Sequence, residues 1–354
     1  YNVGSILASG YIEMPSMKLD YGPIFSTFGY NEVEGLRLRA GGRTYFGQND
    51  LWRIEGFGAY GFKDDKFKYG ISGKALLNKK NRLIISGGNR RDVEQIGASL
   101  TTSTDVLGRS LASSSVVGTS TNDKLTSINL TSLAVELEPL RNVIFRLGGN
   151  YRTLESASQT FSLDYVDANS PTGFSSEIKQ FETSLSVSYF PKRKMTGFGV
   201  ERREANDGFA RIFAQISRGD KSMFNSDFDY TKLQFSYIQP WQVGGFGRLY
   251  TTIEAGKTFG EVPLGLLSVI PGNQSYFSIY NTFSQLDFYE FVSDTYASFH
   301  LEHNFNGRFF SRIPFLRKLN LREIVSVRGV WGEISQENIA LNTTNNPNNI
   351  LLAA

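Results

Sequence analysis

Apolar and polar residues alternate along most of this chain with a period of two, which places successive side chains on opposite faces of a β-strand. The alternation is clearest in KFKYGISGKAL, where Phe67, Tyr69 and Ile71 alternate with Lys66 and Lys68. The same pattern recurs in EGLRLRAGGR, NVIFRLGGNYR, FETSLSVSY, TKLQFSY and GRLYTTIEAG. Weaker versions lie near 51–62, 80–90, 123–138, 194–203, 209–218, 291–305 and 318–333. Together these segments predict about thirteen strands of roughly ten residues each.

Aromatic residues at the ends of the apolar rows help to decide between two architectures that use many alternating strands. A soluble sandwich or barrel turns its apolar face inward, whereas an outer-membrane barrel turns it to lipid and lines its lumen with the polar face. Strands of about ten residues that finish in aromatic side chains are typical of the membrane barrel. The aromatic residues in question are Tyr45, Phe46, Trp52, Tyr60, Phe62, Tyr151, Tyr189, Phe190, Tyr237, Trp241 and Trp331. The sequence therefore predicts an all-β fold, a transmembrane antiparallel β-barrel in a single domain spanning 1–354, with a soluble β-protein as the alternative.

Composition supports an ordered β-protein and excludes several function classes. The 35 glycines, 17 tyrosines and 28 phenylalanines against 10 prolines are unlike a disordered chain. The net charge is only +3 and the basic residues are dispersed, which argues against nucleic acid as a partner. Cysteine is absent, which excludes disulfides and thiolate metal sites. The opening YNVGSILASG is unlike a signal peptide, so we expect a processed or partial chain.

The only two histidines, His300 and His303, lie among acidic residues and raise the question of a metal or catalytic site. On a strand they face opposite sides, since they are three residues apart, so they are not expected to share a metal ion. Ser298, His300 and Asn304 do share one face, a spacing that a lipolytic barrel would use. We expect that face to line the lumen, away from lipid, and therefore predict no enzyme activity and no cofactor.

Three long connections, 92–122, 153–175 and 259–290, interrupt the predicted strands. Barrels usually keep their long loops outside the cell. Counting thirteen strands from a periplasmic start instead puts 92–122 and 153–175 on the inner side. Either one strand is miscounted or this barrel departs from the usual arrangement.

A block of specific residues resembles a family of outer-membrane barrels whose members usually carry an N-terminal carboxypeptidase-regulatory-like domain, a largely uncharacterised family similar to the Omp85 barrels. The block runs E-F-x-S-D, H-x-F-x-G, I-P-x-x-x-K-L and L-R-E. Its motif residues are Glu290, Phe291, Ser293, Asp294, His303, Phe305, Gly307, Leu321, Arg322 and Glu323. The resemblance implies sixteen strands in the complete protein, so we expect the regulatory-like domain and the last strands to lie outside this sequence.

The resemblance also implies that the connection 259–290 is inserted in the lumen, as the sixth loop of Omp85 barrels is. This connection is too apolar for a solvated loop, and no Lys or Arg occurs between Lys257 and Arg308. We expect it to complement a basic lumen wall of Arg37, Arg39, Lys68, Arg146, Arg248 and Arg322. The lumen-loop residues are Pro263, Leu264, Pro271, Gly272, Asn273 and Tyr276. The Val-Arg-Gly motif that Omp85 barrels carry in this loop occurs here only at Val327–Gly329, in a predicted strand.

On this basis the expected location is the outer membrane of a Gram-negative bacterium. The expected role is non-enzymatic, in outer-membrane biogenesis or translocation. A passive or substrate-specific channel and a scaffold subunit of a larger envelope complex are the alternatives. The expected partners are outer-membrane lipids, both lipopolysaccharide and phospholipid, together with other envelope proteins.

Overall fold

The structure is a computed structural model that describes residues 10–45, 49–96, 124–272, 281–286 and 289–344. Its first nine strands are β1 (Ile12–Met14), β2 (Leu19–Tyr21), β3 (Phe28–Asn31), β4 (Gly35–Thr44), β5 (Trp52–Gly61), β6 (Lys66–Asn78), β7 (Leu83–Glu94), β8 (Thr126–Leu140) and β9 (Val143–Ser156). The next six are β10 (Tyr165–Val166), β11 (Phe174–Ser175), β12 (Ile178–Tyr189), β13 (Met195–Thr196), β14 (Arg203–Glu204) and β15 (Arg211–Gly219). The last six are β16 (Tyr230–Gln242), β17 (Arg248–Phe259), β18 (Ser268–Val269), β19 (Val292–Ser293), β20 (Thr295–Asn304) and β21 (Ile324–Glu333). Two α-helices, α1 (Pro314–Arg317) and α2 (Gln336–Asn342), flank β21.

Fifteen of these strands form one antiparallel sheet in which nearly every strand pairs with its neighbours in sequence. The order is β1-β2-β4-β5-β6-β7-β8-β9-β12-β15-β16-β17-β20-β21, with β3 also paired to β4. The other six strands form three two-stranded ribbons, β10 with β11, β13 with β14 and β18 with β19. The prediction of an all-β, antiparallel fold is confirmed.

The structure adds a strand at the start of the sheet that the alternation did not predict. β2 pairs with the last residues of β4 and β3 with its first residues. The other edge of β4 is occupied by β5, so β2 and β3 lie along one edge as a single interrupted strand. Apart from the three-residue β1, the count of strands before the long connections was therefore one too low. The connections 95–125, 157–177 and 260–294 all leave the same end of the antiparallel sheet, which we call the loop rim.

The predicted strand at 194–203 was wrong. Instead of joining the sheet, this segment forms the ribbon of β13 and β14 within the connection between β12 and β15. Gly197 has a φ of 96° and Gly199 lies against the backbone of Asn49, at distances that leave no room for a side chain. The alternating glycines that resembled a strand pattern are thus turn and close-approach positions.

The two faces of the sheet have the reverse of the polarity found in soluble proteins. On β16, Leu233 and Phe235 are each 42% exposed, whereas Gln234 and Ser236 between them are 5% exposed. The same inversion holds along the sheet. Exposed apolar side chains include Leu36, Leu38, Ile54, Ile71, Leu133, Leu147, Leu185, Ile216, Ile253, Phe299 and Val327. Buried polar ones include Arg37, Arg53, Lys68, Gln180, Glu182, Gln215, Thr252, Glu254, Ser298 and His300.

Exposed aromatic residues lie near both ends of the outer face. At the loop rim these are Phe62, Phe67, Phe259 and Trp331. At the end we call the opposite rim they are Trp52, Tyr189, Trp241 and Phe246. Within the described residues, no helix is long and apolar enough to cross a bilayer.

Candidate functional site

The connection between β17 and β20 enters the concave side of the sheet and is buried there. Every residue from Val262 to Gly272 is buried, including the predicted lumen-loop residues Pro263, Leu264 and Pro271. A short 3-10 helix, Leu264–Leu266, lets this stretch turn compactly. Gly272, a fourth predicted lumen-loop residue, is buried as well, whereas the last two, Asn273 and Tyr276, lie outside the described residues. We call the segment 262–272 the plug.

The plug packs against inner-face side chains from widely separated strands. Val262, Leu266 and Leu267 share one apolar cluster with Ile128 of β8, Leu154 of β9, Ile178 of β12 and Tyr230 of β16. Gly265 lies so close to Ile178 and Leu154 that an added Cβ would sit 2.9 Å and 3.2 Å from their Cδ1 atoms. Each large apolar side chain buried in this way contributes roughly 1.5–3 kcal/mol. The part of the inner face that lies against the plug, from β8 to β16, is thus apolar and covered.

Two further apolar clusters extend the plug across the interior. Leu264 and Val269 pack with Phe161 and Leu163 of the connection 157–177 and with Tyr289. Burial raises the pKa of the Tyr289 hydroxyl, which keeps it neutral. Ile270 packs with Phe283 and with Tyr296 of β20, and Val330 of β21 lies against that cluster. Contacts from β8 through to β21 show that the sheet curves around the plug.

Two asparagines of α2 hold the backbone of the plug. Asn338 Oδ1 accepts from the Val262 amide at 2.9 Å, and Asn342 Oδ1 accepts from the Leu264 amide at 2.6 Å. Asn342 Nδ2 also donates to the Val262 carbonyl at 3.1 Å. Both side chains are 1% exposed. Since they are four residues apart on a helix they share one face, and together they satisfy plug groups that have no strand partner.

Asp294, a predicted motif residue, anchors α2 at its N-terminus. Its carboxylate accepts from the Ser335 amide at 2.7 Å, from Asn338 Nδ2 at 3.1 Å and from Thr295 Oγ1 at 2.9 Å. Partial burial works to raise the pKa of Asp294, but these hydrogen bonds outweigh it and hold the pKa below its usual range. Asp294 thus connects the start of β20 to the helix that holds the plug.

The other motif residues divide between the two ends of β20. Glu290, Phe291 and Ser293 lie with Asp294 at the loop rim. There, Ser293 belongs to β19, which pairs with strand β18 of the plug. His303, Phe305, Gly307, Leu321, Arg322 and Glu323 lie at the opposite rim. There, Phe305 donates its amide to the Glu323 carbonyl at 3.0 Å, and the Glu323 carboxylate accepts from the Phe310 amide. The motif therefore fixes both connections that flank β20.

The sequence was also compared with protein-family models. The model of the C-terminal domain of a family of unknown function (DUF5686) matches residues 4–105 and 142–337. The chain belongs to the DUF5686 family. No curated protein matches the sequence.

Among solved structures, the DUF5686 chain is similar to BamA from Haemophilus ducreyi, in a crystal structure lacking POTRA domains 1–3. The TM-score is 0.54 at 14% sequence identity, and the match covers 89% of this chain and 57% of that chain. The likeness concerns the fold. It supports the barrel-type arrangement of the sheet, and this chain spans little more than half of the BamA chain.

Among the predicted basic wall residues of the DUF5686 chain, Arg37 and Lys68 meet in one buried ionic network near the loop rim. Arg37 Nη1 lies 2.7 Å from both Glu34 Oε1 and Asp92 Oδ1. Lys68 Nζ lies 3.0 Å from Glu34 Oε1 and 2.5 Å from Asp64 Oδ2. The network holds two cations and three carboxylates, so the wall here is neutralised by its own acidic residues. Buried ions of this kind are tolerated only when paired and hydrogen-bonded.

The remaining predicted wall residues lie elsewhere. Arg39 donates to Ser26 Oγ at 2.6 Å and stacks over Phe57. Arg146 lines a cleft of about 320 Å³ with Arg53, Lys74 and Glu136. Arg248 and Arg322 come together in a different cleft at the opposite rim. Arg322 itself lies in the connection before β21 and is exposed, so it is no part of a strand wall.

The histidines lie on opposite faces of β20. His300 is 7% exposed on the inner face, with its ring centroid 4.7 Å from that of Phe283 in the plug connection. His303 stacks on Phe305 at 4.1 Å and contacts the Phe246 carbonyl at 2.8 Å. No hydrogen bond joins Ser298 to His300, and the described part of the chain holds no group of three or more His, Asp or Glu arranged for a metal ion.

Two features of the site were missed from sequence. The first is the pair of asparagines of α2 that holds the plug, Asn338 and Asn342, which we call the asparagine clamp. Their i, i+4 spacing in QENIALN is visible in the sequence, but it is a helical spacing and a search for strand period does not detect it. The Val-Arg-Gly segment lies in β21 as predicted, yet its arginine still reaches the plug connection. Arg328 Nη1 donates to the Thr282 carbonyl at 2.8 Å.

Proposed function

We propose that this chain forms an Omp85-type barrel in the outer membrane of a Gram-negative bacterium, with the plug closing its lumen. The observation that carries the proposal is the inverted polarity of the sheet. An exposed face of Leu, Ile and Phe flanked by aromatic residues at both rims matches a hydrocarbon layer and its two interfaces. The buried polar face and the apolar plug then occupy the lumen.

We further propose that the protein acts in outer-membrane biogenesis or translocation, without enzymatic chemistry or a cofactor. A lumen closed by packed side chains and hydrogen bonds favours a device that opens for a substrate over a permanently open pore. The plug connection lies between the eleventh and twelfth strands when β2 and β3 are counted as one and the three-residue β1 is left out, the position of the sixth loop in the Omp85 resemblance. As part of the same proposal, other envelope proteins are its partners, and the complete protein carries an N-terminal regulatory-like domain.

A channel is the second candidate, favoured by the charged clefts at the opposite rim. The cleft at Arg146 leaves the interior polar at that end, and the larger cleft at Arg248 adds positive charge at the rim itself. A channel selective for anions would use such a lining.

Depletion of the protein in its native host tests the biogenesis proposal. We expect the amounts of other barrel proteins in the outer membrane to fall, and the wild-type gene to restore them. The Asn342→Ala variant, whose plug is loosened, is tested in the same way. The extent to which it restores the amounts of barrel proteins measures how far the protein's function needs the closed state. An unchanged outer-membrane proteome combined with lost uptake of small solutes would contradict the biogenesis role and favour the channel.

A further inference from the structure

A large cleft at the opposite rim is lined by five arginines. It has a volume of about 1140 Å³ and lies between the turn 243–247 and the connection 305–323. The arginines are Arg248, Arg308, Arg312, Arg317 and Arg322, and no acidic side chain lines the cleft. This concentration of positive charge stands out in a chain whose net charge is only +3.

Within the described ranges, four of the five guanidinium groups have no counter-charge, and three of these four also have no hydrogen-bond partner. Arg248 pairs with Asp207 at 2.9 Å, and Arg308 donates to the Gly245 carbonyl at 2.7 Å while stacking over Phe246 at 4.2 Å. Arg312, Arg317 and Arg322 are exposed and have no ion-pair or hydrogen-bond partner for their side chains within the described ranges. Like charges held together without compensation repel each other, so an anion in the cleft would relieve that repulsion.

The family motif builds the scaffold that presents these arginines. Gly307 has a φ of 78°, which starts the turn after β20. The main chain of Glu323 closes the connection through the Phe305 amide, and its carboxylate fixes the Phe310 amide. Pro314 then begins α1, which carries Arg317 in its last turn. The arginines therefore lie on an ordered connection with defined anchors at both ends.

The same connection exposes apolar side chains beside the arginines. Phe309 and Ile313 are each 46% exposed, Leu319 is 54% exposed and Phe315 is 73% exposed. Phe305 stacks edge-on against Phe309, and Arg308 lies over Phe246, one of the aromatic residues of the opposite rim. Arginines alternating with exposed Phe, Ile and Leu are typical of segments that lie in the interface of a membrane.

We propose that this cleft binds the phosphate group of an anionic phospholipid, whose acyl chains cover Phe315 and Leu319. The planar arginine fork matches phosphate oxygens in bidentate geometry, and the apolar side chains supply a surface for the hydrocarbon. The inference rests on the proposed membrane location of the barrel. A soluble acidic peptide would use the arginines but would leave the four apolar side chains exposed to water.

Native mass spectrometry of the full chain in mild detergent tests the proposal. The probes are phosphatidylglycerol, which is anionic, and phosphatidylcholine, which is zwitterionic. The variant combines Arg312→Gln with Arg317→Gln. Its matched control combines Lys79→Gln with Lys80→Gln, which removes two exposed charges from a turn at the same rim. We expect the arginine variant to weaken phosphatidylglycerol binding about 30-fold, because each cation near a membrane surface contributes roughly one factor of five.

The control should leave phosphatidylglycerol binding unchanged, and phosphatidylcholine should bind weakly to all three proteins. Equal binding of both lipids, or an equal loss in the lysine control, would overturn the site. Inorganic pyrophosphate or polyglutamate binding as tightly as phosphatidylglycerol would overturn the lipid as the ligand. A separate assay measures whether the barrel inserts into vesicles. Insertion without selective lipid binding would overturn the site alone, whereas no insertion would overturn the proposed membrane location.

Discussion

The two faces of this sheet follow opposite rules although they share every strand. The outer face exposes apolar side chains such as Leu147 and Leu185, while the inner face buries Arg37, Gln180 and Glu254 at 2% exposure or less. In water, such an arrangement would expose hydrophobic area without benefit and bury charges at a cost. This polarity is the one expected if the outer face meets hydrocarbon, as proposed above, and it means that the inner face needs internal partners.

The inner face meets that need in two ways. Near β4 to β7 it pairs its own charges, as in the network of Arg37, Glu34 and Asp92. From β8 to β16 it becomes apolar where the plug covers it, and backbone amides of the plug donate to Asn338 and Asn342. Polar groups of α2 thus fix the backbone of a plug whose side chains are largely apolar.

The largest expected effect comes from placing a charge on the outer face. Leu147→Arg, at a position 56% exposed on β9, should lower the free energy of unfolding in lipid vesicles by about 2–4 kcal/mol. Asn150→Arg is the control, because Asn150 lies on the inner face of the same strand, directly across from Glu182. Urea titration of both variants measures the difference. Equal costs would mean that the two faces do not meet different solvents.

A smaller effect is expected from opening the asparagine clamp. Asn342→Ala leaves the Leu264 amide without its partner, and an unsatisfied buried amide costs about 1–3 kcal/mol. Hydrogen exchange at residues 262–266 should accelerate accordingly. Gln336→Ala, at an exposed position on the same helix, should leave exchange unchanged. If exchange accelerated in both variants, the cause would be a general destabilisation of α2 and not the loss of the Asn342 hydrogen bonds.

Acidification should loosen the plug through Asp294. Its pKa is held below the ordinary value in the folded protein, so the stabilisation is present above the unfolded aspartate pKa of about 3.9 and is lost as pH falls through the lower folded value. Hydrogen exchange of α2 measured between pH 6 and pH 3 should show this loss. Asp294→Asn should remove most of the pH dependence. If this variant kept the full pH dependence of exchange, the titrating group would be a residue other than Asp294.

The histidine pair should give the smallest effect. His300 and His303 lie on opposite faces of β20, so replacing both with alanine should leave the metal content of the purified protein unchanged. Elemental analysis of wild type and variant is sufficient. Loss of one equivalent of metal would contradict the separation of the faces at this strand.

Strand period predicted the sheet well because the two faces of the sheet have opposite polarity, so that neighbouring residues of a strand alternate between apolar and polar. It failed where the same pattern had another cause, as at Gly197 and Gly199, and where a strand was too short to show a period, as in β2 and β3. Apolarity and the family resemblance singled out the plug connection. The asparagine clamp of the plug and the arginine cleft were not predicted. Both depend on which connections meet at a rim of the sheet, and strand period does not specify how connections meet.

Single-channel conductance in planar bilayers tests the central claim, that the plug closes the lumen of a membrane barrel. The intact protein is compared with a variant lacking residues 262–287, and the matched control carries Gln336→Ala. We expect little or no conductance for the intact protein and the control, and a large steady conductance after the deletion. A steady open pore in the intact protein, unchanged by the deletion, would contradict the claim.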